Sequence, residues 1–147
     1  MKVTLPPRKL ENIDMATPIL TLEHADARGE IFSITLPGEQ ELLLLHSKKG
    51  TLRGGHAHDV DEIVVLLTGA MQYDKKQKQT GGHWQEELHG GEASTNHAGV
   101  YHLAEFLEDS WVLEWKIGTH KNGWHNTDDK AWRERVKANA ASSPLNV

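Results

Sequence analysis

The residues best equipped for chemistry are two histidines and a glutamate, His56, His58 and Glu62, inside the segment Gly50-Thr-Leu-Arg-Gly-Gly-His-Ala-His-Asp-Val-Asp-Glu-Ile-Val-Val-Leu-Leu-Thr-Gly69. In extended chain alternate side chains share a face, so His56, His58, Val60, Glu62, Val64 and Leu66 point together. Two imidazoles and one carboxylate form a group that holds one divalent transition metal, iron, manganese, nickel or zinc, and leaves positions open. A second glycine-led segment, Gly91 to His102, supplies a fourth ligand in His102, followed on its face by Ala104 and Phe106, which suit a sheet interior. His24, His83, His89, His120 and His125 sit in no ligand pattern and read as surface or satisfied core residues.

A divalent ion among three neutral imidazoles and one carboxylate keeps a net charge of about +1 and polarises a substrate oxygen as a Lewis acid. Carbonyl and carboxylate substrates fit such a site. Polarisation of that kind stabilises an enediolate and supports isomerisation, epimerisation or β-elimination, whereas iron with two free positions supports oxygen activation. Proton transfer needs a base with reach and a suitable pKa, for which Tyr73, His46, His97 and Glu114 are the candidates. Arg53 can anchor a substrate carboxylate or phosphate through its planar fork. Trp111, Leu113, Trp115 and Ile117 share one face of a late strand, which fills the core or walls the pocket, with Trp115 as candidate substrate contact.

Composition bounds these readings. The 147 residues fit one compact domain. Sixteen Lys plus Arg against 21 Asp plus Glu leave a formal charge of -5, which argues against nucleic acid or an anionic membrane as partner. The chain has no cysteine, so any metal must be held by nitrogen and oxygen. The first fifteen residues carry prolines and charges where a signal peptide needs an apolar run, and no later run is long enough to span a bilayer. A cytoplasmic location follows as the expectation.

The elements that must position these residues read as mostly β. Runs rich in β-branched, leucine and aromatic residues cover 31–36, 41–46, the stretch around His56, 62–67, 70–74, 83–88, 101–106 and 110–117, with glycine-rich turns between them. Lys75 to Gly82 reads as a polar hairpin tip. Asp128 and Asp129 can cap a helix over 130–140, whose Trp132 and Val136 dock while Arg133, Arg135 and Lys137 face water. The division is thus a β domain with an N-terminal arm over 1–126, and a helix with a tail over 127–147. Glu41 to His46 is apolar on both faces, which suggests cover by the C-terminal helix or by a partner subunit, as in a homodimer.

Both histidine segments resemble the two motifs of the cupin superfamily. Gly50, His56, His58, Glu62 and Gly69 fit the first, which is glycine, five residues, His-x-His, three or four residues, glutamate, six residues and glycine. Gly91, Gly99 and His102 fit the second, in which His97 stands where proline is usual and Phe106 where asparagine is usual. The resemblance implies a small antiparallel jelly-roll barrel with metal on His56, His58, Glu62 and His102. Asp26-Ala-Arg-Gly29 and Arg53 to His58 look similar to nucleotide-sugar epimerases and ketoisomerases of that superfamily. The tyrosine of its dimethylsulfoniopropionate lyases is absent, since that position is Val64. The functional expectation is metal-dependent isomerisation, epimerisation or elimination of a small polar carbonyl or carboxylate metabolite. Iron-dependent dioxygenation and non-catalytic binding of a metal or small ligand are the alternatives.

Overall fold

A computed structural model describes residues 19–37, 40–118 and 123–141. Gly38 of the first expected turn, His120, the N-terminal arm before residue 19 and the tail after residue 141 lie outside the described residues. Eleven strands and one helix follow in order: β1 Ile19–Asp26, β2 Gly29–Thr35, β3 Glu41–Ser47, β4 Leu52–His58, β5 Glu62–Thr68, β6 Ala70–Gln77, β7 His83–His89, β8 Ala93–Asn96, β9 Val100–Phe106, β10 Ser110–Lys116, β11 Asn126–Asp128 and α1 Lys130–Ala141. They build two antiparallel sheets, of order β1-β2-β3-β10-β5-β8 and β11-β4-β9-β6-β7. The implied barrel is therefore two sheets packed face to face. Among the described residues no helix is long and apolar enough to cross a membrane.

Strand alternation explains the core. Inward residues of both sheets, among them Leu45, Val64, Leu66, Met71, Phe106 and Val112, form one buried cluster, as period-two patterning requires of sheets that share an interior. On β5, Glu62, Val64 and Leu66 are buried while Leu67 is exposed. β10 departs from the sequence expectation. Its Val112, Glu114 and Lys116 face inward, and Trp111, Leu113 and Trp115 lie on the outer side, with Trp111 stacked on His46 at 4.6 Å.

That outer side is continuous. Leu22, Phe32, Leu44, Leu113, Val65 and Ala93 are successive register partners, an apolar row that crosses all six strands. None of the six is buried within the chain. The helix does not cover β3; it packs on β4 of the other sheet.

Helix α1 starts where Asp129 accepts a hydrogen bond from the Trp132 backbone at 3.0 Å, a normal N-cap. Asn139 bridges the backbone of Gly50 and Leu52, and Arg133 donates to the Gly54 carbonyl at 2.8 Å. Arg133 therefore turns toward β4 and not into water. The polar hairpin is also shorter than expected. β6 runs on to Gln77, and Lys75 is fully buried, donating to Ser94 Oγ at 2.7 Å.

Candidate metal centre

The site begins with a glycine pair. Arg53 and Gly54 pair with Ala104 and Leu103, but the next partners are His56 and His102, so Gly55 is an extra residue that bulges out of β4. Gly54 and Gly55 have φ of +93° and +83°, values that side chains with a Cβ rarely adopt. A Cβ on Gly54 would stand 2.7 Å from the His102 carbonyl oxygen, and one on Gly55 would stand 3.1 Å from the backbone of α1. The bulge resets the alternation, and Arg53, His56 and His58 all line the same cavity.

His56, His58 and His102 converge there, with one ligand nitrogen from each lying within 4.8 Å of the others. These three could hold a metal ion. Glu62 reaches them by a route that simple alternation misses, because β4 and β5 belong to different sheets and the chain turns a corner at residues 59–61. Its Oε2 lies 3.3 Å from His58 Nε2, and its Oε1 lies 3.8 Å from His102 Nε2. Asn96 donates to Oε1 at 3.0 Å, and Lys116 Nζ stands 3.0 Å from Oε2.

The donor set fits a metal on a specific observation. His58 Nδ1 is committed to Asn126 Oδ1, while its buried Nε2 has no hydrogen-bond partner among the described residues. With Nδ1 held by Asn126, Nε2 is the nitrogen left to meet an ion in the cavity. Electrostatics keep the ring nitrogens available. Burial and the neighbouring imidazoles push His56 down to about 3, and burial brings His102 down to about 4. Burial raises the Glu62 carboxyl, but its contact with His58 and the charge of Lys116 more than reverse this and hold it well below the usual carboxylate range.

The cavity measures about 240 Å³ and is walled by apolar residues from both sheets, a small-molecule scale. Arg53 is 7% exposed and has no carboxylate within ion-pair distance among the described residues; its Nε donates to Ser47 Oγ at 2.5 Å. Burial lowers its pKa to about 10, so it stays charged at neutral pH. Glu114 and Tyr73 also line the cavity. Burial and the charge of Glu62 push Glu114 up to about 8, and burial raises the Tyr73 phenol well above its usual value.

Three expected residues fall elsewhere. His46 lies on the outer side of β3, bonded to Glu30 at 2.8 Å. His97 sits in the turn before β9 with an exposed side chain, 3.7 Å from Asp61. Trp115 lines a second, smaller cleft of about 60 Å³ together with Glu41, Leu43 and Trp124. Asn126, Lys116 and Trp124 also stand at the site, although no ligand pattern marks them in the sequence. Lys116 was within reach, since it shares the β10 face of Glu114; Asn126 was not, because the three-residue β11 has no periodicity to read.

No family model matches the chain, and no curated protein matches it by sequence. Solved structures do match in shape. The capsular polysaccharide assembling protein CapF from Staphylococcus aureus aligns with a TM-score of 0.62 at 20% identity over 80% of this chain and 34% of its own. A variant oxalate decarboxylase from Bacillus subtilis aligns with a TM-score of 0.60 at 16% identity over 95% of this chain and 45% of its own. Vicilin from hazelnut, Corylus avellana, aligns with a TM-score of 0.59 at 13% identity over 74% of this chain and 34% of its own. This chain therefore matches between a third and just under half the length of those proteins.

Proposed function

We propose, from the cupin fold that the chain adopts, that it binds a divalent transition metal and acts on a small carbonyl- or carboxylate-bearing metabolite by isomerisation, epimerisation or elimination. The observation that carries this reading is His58 Nε2, which has no hydrogen-bond partner among the described residues, in a cavity that also holds two more imidazoles and a buried arginine that no described carboxylate pairs with. His56, His58 and His102 hold the ion, with Glu62 beside them. When bound there, a divalent ion supplies Lewis acidity toward a ligand oxygen.

The chain's own groups do the rest. Arg53 has donors left over from its bonds to Ser47 and the His46 carbonyl, and these receive and orient a ligand carboxylate through a planar fork. Glu114 holds its proton near neutral pH and exchanges it with the ligand, a balance that suits general acid–base work. Tyr73 keeps its phenolic hydrogen and donates it. Leu45, Met71, Phe106 and Val112 exclude water from one side. The apolar row across the outer sheet pairs with a second copy of the chain to form a homodimer.

The test is metal content after anaerobic purification, followed by oxygen-uptake and proton-exchange screening with small carboxylates. Solvent deuterium incorporated into a substrate by the manganese, nickel or zinc form is the expected result. Substrate-linked oxygen consumption by the iron form selects dioxygenase chemistry instead, and tight metal without turnover selects a binding protein.

A further inference from the structure

Lys116 is an unusual neighbour for a metal site. It is a register partner of Glu62 on the adjacent strand, is 8% exposed, and brings its ammonium 3.0 Å from Glu62 Oε2. That oxygen is also the one that faces His58. The other oxygen, Oε1, accepts from Asn96. Trp124 closes the arrangement, its ring 4.0 Å from Lys116 Nζ and in edge contact with His58 at 4.9 Å between ring centres. Both carboxylate oxygens therefore have cationic or N–H donors from the protein itself, and the ammonium is fixed by an aromatic face.

We propose that Lys116 withholds the Glu62 carboxylate from the ion, so that the metal is held by His56, His58 and His102 alone. The inference rests on the metal-binding reading above and deepens it. Three observations support it. The three imidazole nitrogens already lie close enough together to share an ion without the carboxylate. Lys116 and Glu62 are both desolvated, with side chains 9% and 3% exposed, and taking one partner away strands a buried charge at high cost. Asn96, the register partner of Glu62 on β8, ties Oε1 and restrains the carboxylate. A three-histidine ion keeps its full double charge, which makes it a stronger acceptor for anionic ligands than the ion in the four-residue set.

Co²⁺ titration of the purified protein, with its visible absorption spectrum as readout, tests this. Lys116→Met keeps the length of the stem and removes the charge. It frees Glu62 to join the ion, changing the band pattern and tightening Co²⁺ binding by about tenfold, the scale on which groups that hold metal ligands act. Glu62→Gln alone keeps the wild-type band pattern, because the donor set is unchanged, and Glu62→Gln added to Lys116→Met restores it. The proposal is overturned if Glu62→Gln alone changes the spectrum, or if Lys116→Met leaves the spectrum unchanged or weakens binding. Glu62→Gln does not depend on Lys116→Met folding, so either result decides. Wild-type protein that takes up no Co²⁺ overturns the metal-binding reading as well, an outcome distinct from a bound ion with the wrong spectrum.

Discussion

Asn126 and His58 are directly opposed across the β4–β11 pairing, and the Asn126 side-chain oxygen accepts the hydrogen bond of His58 Nδ1. The bond fixes which ring nitrogen carries hydrogen and leaves Nε2 as the one that faces Glu62 and the cavity. Asn126→Ala removes this orientation without touching a proposed ligand. Isothermal titration with Zn²⁺ should show affinity lowered by about 10- to 100-fold, the usual cost of losing such a partner, with the circular dichroism spectrum retained.

Gly54→Ala should be more damaging than its size suggests. The new methyl meets the His102 carbonyl, and the residue must hold a φ of +93°. Backbone strain of this sort costs about 1–3 kcal/mol. Thermal denaturation should show a lower midpoint and metal titration a weaker site, whereas Gly99→Ala, which meets no neighbour, should pay only for its backbone angle and leave metal affinity unchanged.

The fold was largely legible from the amino-acid order, because eight strands carry the two-residue alternation that half-buried sheet demands. β1 is not legible because it is exposed along almost its whole length and so shows no buried alternation, yet it pairs with β2 along most of that length. β8 and β11 were missed for being four and three residues long. The convergence of the three imidazoles was legible in the sequence, and the surroundings of the candidate site were less so. His56, His58 and His102 meet as their spacing implies, but alternation along one strand is not what brings Glu62 to them. Arg53 is an odd-numbered neighbour of even-numbered histidines, and only the bulge puts it on their side. The wrong face was expected of β10 because tryptophan is usually buried, while the inward positions here hold Glu114 and Lys116.

Arg53→Met should weaken binding of small carboxylates to the metal-free protein by about 10- to 100-fold, since a charged hydrogen bond is worth ~1.5–3 kcal/mol. Titration calorimetry with a panel of mono- and dicarboxylates reads this directly. Equal affinity in variant and parent would remove Arg53 from the binding role.

Glu114 gives the metal-free protein a specific pH response. Its carboxyl is raised from the ordinary 4.5 to about 8 in the folded chain, so the folded state holds a proton that the unfolded chain has released. The contribution is fully present below pH 4.5, falls as pH rises, and is gone above about 8. Melting temperatures measured between pH 4.5 and 8 after chelation should fall less steeply for Glu114→Gln than for the parent.

The outer apolar row predicts an assembly change. Leu44 lies at its centre, flanked by Phe32 and Leu113, and Leu44→Glu would place a carboxylate against its own copy in any two-fold contact. Sedimentation velocity should find a dimer for the parent and a monomer for the variant. A parent that sediments as a monomer would dismiss the pairing.

The extra residue in β4 makes the site sensitive to chain length at one point. One residue inserted between Arg53 and His56, with the bulge kept, would erase no functional group, yet it would send the arginine and the imidazoles to opposite surfaces of the sheet. Relatives that differ by a single codon there would share almost every letter of the segment and still divide into those with a working cavity and those without one.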